Sequence, residues 1–138
     1  MTHILNGGLA VDDRGSVSFV NDFNFDGVKR FYQVENHRRG FIRAWHGHKK
    51  EGKYVYVTNG SALVGVVNME TEEISKFVLS SKSPKILWIP PGNYNGFKSL
   101  EEDPKTNIFI FILFLSVFFL PNIPLIVFLP NVISKAFL

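Results

Sequence analysis

Between Gly40 and Gly60 the chain reads Gly-Phe-Ile-Arg-Ala-Trp-His-Gly-His-Lys-Lys-Glu-Gly-Lys-Tyr-Val-Tyr-Val-Thr-Asn-Gly. Its two histidines, His46 and His48, stand one residue apart at the end of an extended segment. In a strand, side chains at i and i+2 point to the same face, so both imidazoles look into whatever that strand lines. The run that follows, from Lys53 to Thr58, is rich in β-branched and aromatic residues, and Asn59-Gly60 is a turn signal. The segment therefore reads as strand, turn, strand around a charged, imidazole-bearing interior.

The same grammar extends over residues 1 to about 105. Candidate strands lie at 16–20, 29–34, 40–46, 54–58, 61–67, 73–79 and 86–89, interrupted by turn residues such as Asn24-Phe-Asp-Gly27, Ser81-Lys-Ser-Pro84 and Pro90-Pro-Gly92. No long helical period runs free of Gly or Pro, and there is no internal repeat. Regular short strands indicate an all-β sandwich or barrel. At 138 residues the chain makes one domain with a single core. It has no cysteine, so neither a disulfide framework nor thiol chemistry is available. The net charge is only +3, and Lys29-Arg30, Arg38-Arg39 and Lys49-Lys50 are short clusters that suit a solvated surface rather than nucleic acid. In a site they would also attract a diphosphate. The first residues show no basic region followed by an apolar one, so no export signal is expected and the expected location is cytoplasmic.

After Lys105 the composition breaks. Residues 106–138 carry one charge, Lys135, and seven of the fourteen Phe. The first apolar run stops at Pro121, short of the roughly 20 residues a membrane span needs. A proline-broken anchor would expose unsatisfied backbone to lipid. A buried closing strand over 108–115 is a further reading. The last is out-of-frame translation of A/T-rich coding sequence, which yields Phe, Ile, Leu and Asn, and it is the reading preferred here. Membrane association through this tail is the expectation if it acts as an anchor.

The spacing Gly40, five residues, His46, one, His48, four, Lys53, six, Gly60 resembles the first signature of the cupin superfamily, with lysine in the place of the acid. Pro90-Pro-Gly-Asn-Tyr-Asn95 resembles the second, with asparagine in the place of histidine. Phe31-Tyr-Gln33-Val-Glu-Asn36, Arg43-Ala-Trp-His46, Asp13-Arg14-Gly15 and Ile89-Pro-Pro-Gly-Asn-Tyr-Asn-Gly-Phe97 together resemble the dTDP-4-dehydrorhamnose 3,5-epimerases. His46-Gly-His48-Lys49 also resembles the dTDP-sugar 3,4-ketoisomerases, which are sister cupins. The resemblance implies a cupin jelly roll, a homodimer, a nucleotide-sugar substrate, and deoxysugar biosynthesis for surface polysaccharide. It implies no metal and no cofactor, since an ammonium has no lone pair and a neutral amide is a weak ligand.

Epimerisation beside a ketone needs a base, a donor to hold the enolate oxygen, and an acid on the opposite face. By resemblance His46 is the base and Lys53 stabilises the enolate. Arg14, Gln33, Asn36, Arg43, His48 and Asn95 are the implied substrate contacts. Strict alternation sends Arg43 to the face opposite His46, so its place in the site requires a bulge or twist. Trp45 alternates away from His46 and reads as core. Tyr94 and Asn95 read as lying at the pocket rim. The family's acid tyrosine lies beyond the Ile-Pro-x-Gly motif, yet no tyrosine follows Tyr94. That gap leaves a non-catalytic sugar-binding cupin as the competing reading, beside a ketoisomerase.

Overall fold

A computed structural model describes residues 1–36, 40–101, 106–114, 125–126 and 135–137. The Arg38-Arg39 cluster and much of the apolar tail lie outside them. The described chain is β throughout, apart from one helical turn at 135–137. In chain order its strands are β1 (His3–Asn6), β2 (Gly8–Asp12), β3 (Gly15–Phe19), β4 (Val28–Asn36), β5 (Ile42–His48) and β6 (Glu51–Asn59). They continue with β7 (Ser61–Asn68), β8 (Ile74–Ser80), β9 (Lys85–Ile89), β10 (Asn93–Ser99), β11 (Thr106–Phe114) and β12 (Leu125–Ile126).

Two five-stranded sheets form, ordered β1-β9-β6-β11-β4 and β12-β5-β10-β7-β8, and every pairing is antiparallel. The hairpin of β2 and β3 is a separate two-stranded sheet. The two large sheets pack their inner faces together as a jelly roll. Alternate residues fill the space between them: Val55 and Val57 of β6, Leu87 and Ile89 of β9, and Ile108 and Ile110 of β11 from one sheet. Val64 and Val66 of β7 and Phe97 of β10 come from the other. A second cluster covers the outer face of β5, where Trp45 is fully buried against Val67, Ala136 and Phe137. The helical turn at 135–137 thus docks on the tryptophan that the alternation assigned to packing.

The candidate strands over residues 1–105 omit β1, β2 and β10, and it is β10, with β11 after it, that bears on the site. The Pro-Pro-Gly turn was expected to continue into a pocket rim, but the chain turns at Gly92 (φ 80°) and enters β10. That strand lies between β5 and β7, so Asn95 is buried in the barrel wall rather than placed at its edge. The compositional break after Lys105 also does not mark the edge of the barrel. Thr106–Phe114 forms β11, hydrogen-bonded between β6 and β4.

Candidate active site

The register of β5 on β10 decides which side chains meet. His48 lies opposite Asn93 and His46 opposite Asn95, and after a register shift Arg43 lies opposite Phe97. The bulged strand fits three residue steps against two, which returns Arg43 to the face of His46. Since Phe97 belongs to the core, this is the inner face. Gly96 makes the bulge possible: a Cβ there would sit 2.6 Å from the Ala44 Cβ.

From the facing sheet β6 sends in Glu51, Lys53, Val55 and Val57 at alternate positions. Lys53, 3% exposed, donates from Nζ to Asn95 Oδ1 at 2.6 Å, spanning the interior from one sheet to the other. Asn95 in turn stands in register with His46, so ammonium and imidazole share one small volume. Burial pushes the Lys53 pKa down to about 8, with Arg30 lowering it further and Glu51 opposing. Burial, then the charges of Lys53 and Arg43, also lowers the pKa of half-buried His46. At neutral pH the lysine is therefore largely charged and the imidazole neutral, which are the forms an electrophile and a base require.

Sequence reasoning passed over Glu51. Its carboxylate is fully buried, with Oε1 accepting from the Arg30 guanidinium at 2.9 Å and Oε2 lying 3.0 Å from His48 Nδ1. The second contact has ion-pair distance without hydrogen-bond alignment, and Oε2 has no hydrogen-bond donor. Burial, with Lys53 and Arg30 nearby, pushes the His48 pKa down to about 4. Glu51 is already engaged by Arg30 and does not hold the imidazolium. The signal was present: an acid two residues before Lys53, on the face that Val55 and Val57 continue, has to be paired if it is buried.

The remaining candidates fall elsewhere. Through β11, Arg30 aligns with Lys53, Tyr32 with Val55 and Val34 with Val57, so the inner face of β4 carries Arg30, Tyr32, Val34 and Asn36. Gln33 aligns with Tyr56 on the outer face and is exposed, so it does not join His46 and Lys53. Asn36 faces inward and is 1% exposed, but it sits three rungs from Arg30 at the other end of β4, with both amide atoms unpartnered. The three-residue offset between Gln33 and Asn36 forces opposite faces. Arg14 lies in the turn of the β2–β3 hairpin, exposed and paired with Asp12. Tyr94 aligns with Gly47 and packs in the outer cluster with Trp45, so its phenol points away from His46.

The donor set does not fit a metal. An ammonium bonded to an amide occupies two of the four cupin ligand positions, and neither group competes with imidazole for a cation. Glu51, the buried carboxylate beside His48, is already paired with Arg30. Among the described residues no group of three or more His, Cys, Asp and Glu is arranged to hold an ion.

A family model described as dTDP-4-dehydrorhamnose 3,5-epimerase matches residues 5–111. The chain belongs to the dTDP-4-dehydrorhamnose 3,5-epimerase family. The fold agrees with solved structures of that family. An epimerase from Bacillus anthracis with TDP and PPi bound superposes with a TM-score of 0.77 at 18% identity, covering 94% of this chain and 79% of that one. An epimerase from Sulfolobus tokodaii gives 0.74 at 22% identity, covering 91% and 76%. A 3,4-ketoisomerase from Thermoanaerobacterium thermosaccharolyticum, in complex with TDP, gives 0.66 at 20% identity, covering 83% and 81%. No curated protein matches the sequence. Among the described residues no helix is long and apolar enough to cross a membrane, a statement that does not extend to membrane β-barrels.

Proposed function

We propose that this family member is a cofactor-independent epimerase of a dTDP-4-keto-6-deoxyhexose, serving deoxysugar biosynthesis for surface polysaccharide. One observation carries the reading: inside the barrel the buried Lys53 ammonium is bonded to Asn95, and Asn95 stands in register with His46, so an ammonium and an imidazole share the interior. His46 takes the proton from the carbon beside the ketone. Lys53 holds the oxygen on which the enolate charge collects, an electrostatic stabilisation that grows toward the transition state. The half-exposed guanidinium of Arg30 and the exposed Arg43 supply positive charge on the open side of the site, where a diphosphate would sit. A homodimer is part of this reading. The separate β2–β3 hairpin leaves Leu9 and Val11 exposed on one of its faces and Val17 and Phe19 exposed on the other, apolar side chains suited to contact with a second copy of the chain.

The test is proton exchange. Incubated in D2O with dTDP-4-keto-6-deoxyglucose, the chain should introduce deuterium at a carbon flanking the ketone and yield inverted sugar, both followed by NMR. Binding of the nucleotide sugar without any exchange would leave only a binding module. A second reading, 3,4-ketoisomerisation, draws on His48, which lies on the same inner face as His46. In that case the product carries its ketone at the neighbouring carbon, and the carbon spectrum separates the two.

A further inference from the structure

Inversion requires a proton delivered from the side opposite the base, and the site as built from His46 and Lys53 has no such donor. His48 stands on the same strand as His46 and approaches from the same sheet. Lys53 is bonded to Asn95 and serves the oxygen. The chain has four tyrosines, all described. Tyr54 lies on the outer face against Trp88 and Phe23. Tyr56 aligns with Gln33 on the same outer face, and Tyr94 packs outside β5. Tyr32 alone faces the interior, one rung along β4 from Arg30, on the sheet that faces β5 across the barrel.

Resting on the epimerase reading, we propose that Tyr32 is the catalytic proton donor that returns a proton to the enolate carbon on the face opposite His46. Its position meets three requirements of that role. It comes from the facing sheet, so it reaches the sugar from the other side. It is 38% exposed on β4, an edge strand, and so borders the entrance rather than the packed core. The charged groups around it are those of the site: Arg30 and Glu51 beside it on the same sheet and Arg43 across from it. Burial raises the phenol pKa, Arg30 and Arg43 oppose this and Glu51 adds to it, so the hydroxyl keeps its proton at neutral pH. In the step, the Tyr32 O–H bond breaks as the new C–H bond forms, and the enolate electrons become that bond while the ketone is restored. The phenolate then takes a proton from water and His46 gives its proton to water, which leaves the sugar isomerised and the protein unchanged.

Tyr32→Phe in the full chain, assayed in D2O with dTDP-4-keto-6-deoxyglucose, separates the two half-steps. Exchange at the carbon beside the ketone should stay within about threefold of wild type, while inverted product falls by roughly 10²–10⁴-fold. Inversion above about a third of the wild-type rate overturns the role, as does equal loss of exchange and inversion with dTDP binding retained. If the Phe variant loses dTDP binding, a fluorinated tyrosine at position 32 replaces it. The fluorine lowers the phenol pKa with little change of shape, so the ratio of inversion to exchange should change, and an unchanged ratio overturns the proposal. A wild-type chain that exchanges no proton strikes down the epimerase reading and the role of Tyr32 with it, whereas failure confined to the variants strikes down Tyr32 alone.

Discussion

His46 and Lys53 owe their protonation states to the same burial, which favours the neutral form of both. The imidazole loses its charge readily and serves as a base. The amine titrates at about 8 and keeps its proton at pH 7. Catalysis by this pair requires His46 unprotonated and Lys53 protonated. The kcat/KM profile should therefore fall on the acid side below the ordinary histidine range and on the alkaline side near the Lys53 pKa of about 8. Lys53→Met should abolish the alkaline limb and lower the rate by about 10²–10³-fold, as loss of an oxyanion donor does; a limb that persists in this variant belongs to another group. His46→Asn should remove exchange by about 10²–10⁴-fold with dTDP binding retained. Isothermal titration beside the NMR assay checks both halves of that statement. Chelation leads to a further expectation from the donor set: exhaustive treatment with EDTA should leave the rate unchanged, and activity that returns only with an added divalent ion would refute the ligand argument.

At the scale of elements, the arrangement turns on the bulge in β5. Without it Arg43 would project among the outer cluster and His46 would lose a charged neighbour. Gly96→Ala places a methyl 2.6 Å from the Ala44 Cβ and 3.1 Å from the Arg43 carbonyl oxygen, with the Phe137 ring also at 3.1 Å. Overpacking of this kind costs about 1–3 kcal/mol. We expect a lower midpoint in denaturant titration and a loss of activity larger than the loss of folded protein, with partial recovery when Ala44→Gly is added. Equal recovery of neither property would mean the strand relieves the contact elsewhere. The same elements show what was legible beforehand. Alternation from His46 and from Val55 was enough to place His48 inward and Trp45 outward, because period-two patterning is local. The same rule, applied from Lys53, would have found Glu51; counting toward the cupin acid drew attention past it. Arg43 was legible only through the resemblance, since a bulge depends on the partner strand. Gln33 and Asn36 were carried together by the resemblance, although their odd spacing already separated them. Tyr32 gave no signal at all until β11 set β4 in register with β6.

For the whole molecule, the question is what the apolar residues after Lys105 contribute. Composition alone made them look foreign to the domain, because a strand covered on both faces need not alternate, and Phe111 on the outer face of β11 packs against Phe23 and Phe25. Ile108 and Ile110 are buried in the main core and belong to β11, whose hydrogen bonds run to β6 on one side and β4 on the other. Remove that strand, and β6, which bears Glu51 and Lys53, parts from β4, which bears Arg30 and Tyr32. Two ladders of backbone groups would be left open and the core would face water along the gap, a larger loss than the 5–15 kcal/mol by which domains are commonly stable. A chain truncated after Lys105 should therefore show no cooperative thermal transition and should aggregate. The chain ending after Phe114 should regain strand signal in circular dichroism, because it restores both ladders. Calorimetry on the two lengths decides the matter. A cooperative transition in the shorter chain would show that the sheet closes without β11, and the sharing of the site between β4 and β6 would then need another explanation.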